Sequence, residues 1–218
     1  ATASMGFKEN LSPGEIVDQF LHLSSRSQSR VTNVVFMGMG EPFLNYKNVS
    51  LAAEIINKKI NLGARKITIS TAGVVSKIYK MADDRLPYKL AISLNAPNNT
   101  IRKRIMPLTN NNPIEELIKS ADYYYSKLKR FVTFEYVLLN NINDSEKCAT
   151  ELIDLLKNIP CKLNLIPYNE IGGKFSRPSN QSIDTFIDIL KNAPFTVTVR
   201  WSKGTKIDAG CGQLAVKN

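Results

Sequence analysis

Asn33-Val34-Val35-Phe36-Met37-Gly38-Met39-Gly40-Glu41-Pro42 is a short apolar run that stops abruptly in two glycines, a carboxylate and a proline. An unbroken run of this length predicts a strand buried on both faces, as parallel sheets require. The turn after it is where bare backbone can approach a ligand. Working outward, the same unit recurs. Strands are expected at 66–71, 89–94, 131–139, 162–167 and 196–200, separated by helices at 47–58, 75–82, 114–127, 145–157 and 183–191. Upstream, Ser12-Pro13-Gly14-Glu15 predicts a helix start, with Ser12 as N-cap and Glu15 reaching back to it, followed by a polar exit loop at 24–30. Six strands alternating with helices force parallel pairing through right-handed crossovers, giving an α/β barrel or an open α/β sheet. With no linker, repeat or low-complexity segment, residues 1–218 read as one domain.

In such folds ligands lie at the carboxyl ends of the strands. Those ends run into Gly38-Met39-Gly40-Glu41-Pro42, Ser70-Thr71-Ala72-Gly73, Ser93-Leu94-Asn95-Ala96-Pro97, Pro167-Tyr168-Asn169 and, after the last strand, Asp208-Ala209-Gly210-Cys211-Gly212. These polar groups and glycines would gather on one rim. Gly38 and Gly40 begin like a dinucleotide fingerprint, but its third glycine falls at Phe43, which would stand between helix and strand. Glu41 in place of a phosphate-binding helix start would repel phosphate and attract an amine; the alternative is a turn with a solvated glutamate. Cys211 sits among small residues that leave a thiol accessible, either as a reactive group or as an exposed structural one.

Composition narrows the class. The chain of 218 residues carries 29 Lys+Arg against 19 Asp+Glu, a net charge of +10, which makes an anionic partner such as nucleic acid worth considering. Its 43% hydrophobic and 22% charged content is that of a globular protein, and no apolar run reaches the ~18 residues of a transmembrane helix. Basic residues cluster at 102–104 and 127–130, with Arg65, Lys66 and Arg200 near strand ends, as a solvated surface or an RNA footprint. Tyr168, Phe175 and Trp201 are candidates to stack on a base, or core residues. Cys148, Cys161 and Cys211 are too few and too scattered for a disulfide framework, which places the chain in a reducing cytoplasm. Cys148 and Cys161, within or at the end of a helix, read as small core residues. The single histidine, His22, lies in an apolar helical stretch and reads as structural, so histidine-dependent hydrolytic or metal chemistry has little to work with. The chain opens Ala1-Thr2-Ala3 without an initiator Met, which suggests removal of an upstream segment.

Taken together, the stretches 33–42, 68–73, 91–97, 164–169 and 207–214 resemble, in order, motifs of the dual-specificity 23S ribosomal RNA and transfer RNA adenine-carbon-2 methyltransferases of the radical SAM superfamily. A branch that methylates carbon-8 of the same rRNA adenine is less similar. The resemblance implies a partial (β/α) barrel of about six parallel strands, lacking its first strand and cluster loop, with S-adenosylmethionine and a 4Fe–4S cluster at its mouth. It assigns Gly40, Glu41, Ser70, Ser93, Leu94, Asn95 and Asn169 to cofactor binding, with Asn95 standing where many relatives have histidine. It makes Cys211 the catalytic thiol, methylated by one S-adenosylmethionine; a 5′-deoxyadenosyl radical then abstracts hydrogen from the S-methyl group. The carbon radical adds to adenine carbon-2, and a second cysteine resolves the protein–RNA thioether.

The Ala1 to Phe7 start resembles the segment directly after the family's Cys-x₃-Cys-x₂-Cys motif, yet no such motif occurs in the 218 residues. The cluster ligands are therefore expected upstream of residue 1, with the RNA-binding region, the resolving cysteine and a general-base glutamate. No metal ligands are assigned within the chain. The resemblance implies 23S rRNA and tRNA as partners, a flavodoxin or ferredoxin type reductant, no membrane, and a monomer by default. The expected state of the chain by itself is a fragment that neither assembles the cluster nor methylates RNA. A non-catalytic RNA-binding α/β domain is the alternative. A radical SAM enzyme with a small-molecule substrate would leave the positive charge and the Cys211 motif without a purpose.

Overall fold

The computed structural model describes residues 7–106, 112–170 and 174–201. Helix α1 (Pro13–Arg26) opens as expected. Ser12 Oγ accepts from the Glu15 amide while the Glu15 carboxylate accepts from the Ser12 amide at 2.7 Å. The helix runs through the expected exit loop to Arg26, and His22 lies exposed on it, so the expectation of a packed structural histidine is corrected. Its neighbours Leu21 and Leu23 are exposed as well, because α1 buries only Val17 fully.

The remaining elements are β1 (Val34–Phe36), α2 (Tyr46–Lys58), β2 (Ile67–Thr71), α3 (Val75–Asp83), β3 (Lys89–Ser93), α4 (Asn99–Ile105), α5 (Ile114–Leu128), β4 (Val132–Leu138), α6 (Glu146–Leu156), β5 (Cys161–Pro167), α7 (Asn180–Leu190) and β6 (Thr196–Val199). All six strands are parallel and lie in the order β1-β2-β3-β4-β5-β6. A doubly wound sheet reverses its strand order at a switch point. This one never reverses, so right-handed crossovers put every connecting helix on the same face and leave the other face as the inside of an unclosed barrel.

Side-chain alternation sorts the strands into two faces. Ile67, Ile69, Leu90, Ile92, Phe134, Tyr136, Leu163 and Leu165 are buried in the core beneath the helices. The intervening positions form the inner face, and the register sets Ser93, Glu135, Asn164 and Thr198 side by side in one row across β3, β4, β5 and β6. A second row holds Ser70, Ala91, Thr133 and Lys162.

Three expectations are corrected. The strand expected over 33–37, buried on both faces, is only the three residues of β1, and Val35 is 50% exposed. An apolar run looks the same in a central or an edge strand; β1 is an edge, with β2 as its only partner among the described residues. Beside it a largely apolar cavity of ≈ 880 Å³ opens between α1 and the Gly38–Pro42 turn, lined among others by Phe20, Leu23, Phe36 and Met39. Cys161 opens β5 rather than belonging to a helix, although it is buried as expected, and burial pushes its thiol up to about 12. Finally, α4 forms in a basic, weakly periodic stretch where no helix was expected, and its Arg102 is 1% exposed rather than part of a solvated surface.

Candidate active site

The sequence places its candidate residues where parallel strands end, and the topology brings those ends to one rim. The turn after β1 carries Gly40 in the left-handed region at φ +87°, a conformation that favours glycine, and apart from its chain neighbours no atom of the described residues lies within 4 Å of where a Cβ would stand. Glu41 is next, as N-cap of a short 3₁₀ turn over Pro42–Asn45. Its Oε1 accepts from the Phe43 amide at 2.9 Å and from Thr71 Oγ1 at 2.8 Å, and its Oε2 accepts from the Ala72 amide at 2.6 Å. The carboxylate is thus neither solvated nor simply free for an amine: it fastens the turn after β1 to the end of β2. Two oxygens offer about four lone-pair sites, so three hydrogen bonds still leave room for one further donor.

Ser70 is buried on the inner face near the end of β2, and Ser93 ends β3 in the row with Glu135. Leu94 has a fully buried side chain, so only its backbone belongs to the rim; its amide donates to the Glu135 carbonyl at 2.9 Å. Asn95 adopts φ +57°, which asparagine tolerates better than most residues. Its Oδ1 accepts from the Val137 amide at 2.9 Å, stitching the turn after β3 onto β4. Asn169 comes after β5, and its buried Oδ1 has no hydrogen-bond partner among the described residues. A buried acceptor without a donor loses about 1–3 kcal/mol of solvation, so the site is suited to a ligand that supplies an N–H or O–H.

Cys211 and the stretch 207–214 lie outside the described residues. Of the three aromatics, none is core. Tyr168 and Phe175 meet edge-on with centroids 6.4 Å apart, and Trp201 is 50% exposed beneath the Arg177 guanidinium.

Three residues received no role from the sequence, although Thr71 lies in a stretch placed on the rim. Thr71 Oγ1 donates to Glu41 while accepting from the Gly73 amide at 3.0 Å. Asn143 is fully buried between β4 and the turn after β3. Glu135 is 7% exposed and is the single acidic side chain in the six strands. A charged residue inside an otherwise apolar strand was the signal that could have found it. Burial raises the Glu135 pKa, partly opposed by the Arg200 charge and a hydrogen bond with Asn164. A carboxyl whose folded pKa is raised contributes most to stability at low pH, and that contribution falls as pH rises through the folded value. Glu135→Gln is therefore expected to raise the urea midpoint at pH 8 and to leave it nearly unchanged at pH 4; an equal shift at both would assign the effect to packing.

Residues 2–153 match the profile of the Radical SAM superfamily. The chain belongs to that superfamily. It is 47% identical over 220 aligned residues to the "Probable dual-specificity RNA methyltransferase RlmN" of Dictyoglomus thermophilum, covering 98% of this chain and 63% of that protein. It is 45% identical to the "Ribosomal RNA large subunit methyltransferase N" of Nitrosopumilus maritimus, covering 98% and 62%. The crystal structure of a radical SAM methyltransferase from Sphaerobacter thermophilus superposes with a TM-score of 0.92 at 42% identity, over 96% of this chain and 63% of that one. The chain thus spans about three-fifths of the length of these relatives. Streptococcus suis SuiB, solved bound to S-adenosylmethionine, shares the fold at 16% identity with a TM-score of 0.65.

The six-stranded parallel sheet is accordingly the partial barrel of a radical SAM domain, whose cofactors are S-adenosylmethionine and a 4Fe–4S cluster. The residues present fit the first: an open glycine turn, a fixed carboxylate and a buried unpaired acceptor share the rim. They do not supply the second. The chain's three cysteines are 13 residues or more apart, and no group of three His, Cys, Asp or Glu able to hold a metal ion occurs among the described residues. None of the helices formed by the described residues is long and apolar enough to cross a membrane.

Proposed function

We propose that this chain is the cofactor-binding barrel of an enzyme that methylates carbon-2 of an adenine in 23S rRNA and tRNA, working in the cytoplasm with a flavodoxin or ferredoxin type reductant. The observation that carries the reading is the convergence of Gly40, Glu41, Ser70, Ser93, Leu94, Asn95 and Asn169 on the carboxyl rim of one parallel sheet. The net charge of +10 suits a polyanionic substrate.

S-adenosylmethionine, when bound, supplies the transferred methyl group and the precursor of the radical chemistry. The chain's own part is to hold that molecule. Glu41 keeps the Gly40 turn fixed and would offer its remaining lone pair to the amine, the bare backbone of that turn would take the methionyl end, and Ser70 and Ser93 on neighbouring strands would supply hydroxyls. Asn169 offers an unpaired carbonyl oxygen to an N–H or O–H donor. Cys211 is assigned as the methyl-accepting thiol, a role that needs an accessible sulfur rather than a histidine base.

The test is mass spectrometry of RNA after anaerobic incubation with the complete, cluster-reconstituted protein. 2-Methyladenosine in a 23S rRNA fragment and in tRNA is expected; 8-methyladenosine, or no methylation, would overturn the reading. The chain of 218 residues alone is expected to show neither the visible absorption of a 4Fe–4S cluster nor methylation. Should the chain bind RNA with steep salt dependence that neither Cys211→Ala nor Glu41→Ala alters, and the complete protein be inactive, a non-catalytic RNA-binding domain becomes the better account.

A further inference from the structure

Arg102 is an unusual residue to find inside a protein. It lies on α4 at 1% exposure, and no carboxylate among the described residues forms an ion pair with it. A buried cation is tolerated only where other groups replace its water. Here the replacements are backbone carbonyls. Nη2 donates to Ala72 O at 2.6 Å and to Ser93 O at 3.4 Å, Nε donates to Leu94 O at 3.2 Å, and Nη1 donates to Asn112 O at 3.3 Å. Ala72 lies just past β2, and Ser93 and Leu94 close β3, so one guanidinium fork ties the ends of two strands to α4 and the segment before α5. Lysine, with a single nitrogen, could not span four carbonyls in this plane.

Ala72 also receives the other charge of the rim. Its amide donates to Glu41 at 2.6 Å while its carbonyl accepts from Arg102 at 2.6 Å, so a carboxylate and a guanidinium grip one residue from opposite sides. The next residue makes the grip possible. Gly73 has φ +106°, and a Cβ there would stand 2.9 Å from Arg102 Nη2 and 3.0 Å from a Leu117 methyl. Only glycine lets the guanidinium approach.

We infer that Arg102 is a positioning residue for cofactor binding: with Glu41 it clamps Ala72, and so locks the turns after β1, β2 and β3 into one rigid rim. The cofactor half of this statement rests on the reading proposed above; the clamp itself does not. Its two charged members are 61 positions apart in sequence and act on each other through the Ala72 backbone.

The experiment is residue-resolved amide hydrogen exchange on the ligand-free chain, with Arg102→Lys and Glu41→Gln compared with the parent. Arg102→Lys is expected to speed exchange at the Phe43 amide, which among the described residues donates to Glu41 alone, and Glu41→Gln to speed it at Leu94 and Asn95, beyond Arg102. Each effect should be at least about tenfold, with core amides such as Phe134 and Leu163 changed less than about threefold. A residue that merely stabilises the fold would lower all slow amides together, and that result, or unchanged exchange across the clamp, would overturn the inference. Should Arg102→Lys fail to fold, Glu41→Gln tests the same coupling from the other side.

Titration with S-adenosylmethionine supplies the second readout. At least about tenfold weaker binding is expected in a variant whose rim has loosened while its core protection holds, since ordering the rim then opposes binding. Equal affinity in that variant would overturn the positioning role. If the parent chain shows the coupled exchange but binds no S-adenosylmethionine, the cofactor reading fails and the clamp stands.

Discussion

Asn143→Leu should lower stability by about 3 kcal/mol or more, and Tm by roughly 6–12 °C for a chain of this size. Asn143 is fully buried, and its side chain does the work of a missing strand at the end of β4. Nδ2 donates to Val137 O at 2.8 Å and to Asn95 O at 2.7 Å, and Oδ1 accepts from the Leu139 amide at 2.7 Å. The Asn143 carbonyl in turn accepts from Tyr136 Oη at 2.8 Å. Leucine has nearly the same volume but no polar atom. It would leave three backbone groups buried without partners, each at about 1–3 kcal/mol. Because Asn95 O is one of the three, the turn after β3 should loosen together with the core. Urea unfolding checks the magnitude. Tyr136→Phe, which removes a single donor, serves as the smaller reference at about 1 kcal/mol. A loss below that reference in Asn143→Leu would show that water or a shifted backbone replaces the network.

Cys211→Ala in the complete protein should reduce RNA methylation to background while leaving folding and S-adenosylmethionine binding intact. The prediction comes from the proposed chemistry, in which the methyl group must reside on sulfur before it reaches the base, and alanine offers no acceptor. Cys211→Ser is expected to be equally inactive, because a hydroxyl is a far poorer methyl acceptor than a thiol at neutral pH. Intact-mass analysis of the parent should show one added methyl group that is lost in both variants. Methylation that survives Cys211→Ala would remove the thiol from the mechanism while leaving the barrel assignment untouched. By contrast, Cys148→Ala and Cys161→Ala affect buried side chains beneath the helices, so their effect should appear in stability rather than in methyl transfer.

Much of this architecture is visible without coordinates because its causes are local. The Ser12 and Glu15 capping box is a contact between residues three apart, and it forms as read. The strands expected at 131–139 and 162–167 match β4 and β5 to within about one residue at each end, since the recurring helix-then-strand unit marks where each apolar run starts and stops. The strand-then-turn order also locates the rim, because parallel pairing leaves every carboxyl end on the same side of the sheet. The identity of the rim residues, from Gly40 to Asn169, is thus legible in the chain.

The use those residues make of their atoms is decided by partners far away in sequence. Glu41 reads equally well as an amine ligand or a solvated turn residue; its oxygens instead take the Phe43 amide, the Thr71 hydroxyl and the Ala72 amide. Arg102 sits in an Arg-Lys-Arg run that resembles any exposed basic patch, and its burial depends on carbonyls at positions 72, 93, 94 and 112 converging on one point. Periodicity reports which face of an element is apolar, but a hydrogen bond between distant residues leaves no periodic trace. The sequence by itself determined the parallel α/β alternation, the capping of α1 and the residues at the strand ends, all consequences of local spacing and backbone stereochemistry. Only the tertiary structure decided that β1 is an edge, that Glu135 lies buried in a row with Ser93 and Asn164, and that Glu41 and Arg102 hold Ala72 between them, because each depends on which strand ends become neighbours once the sheet curls.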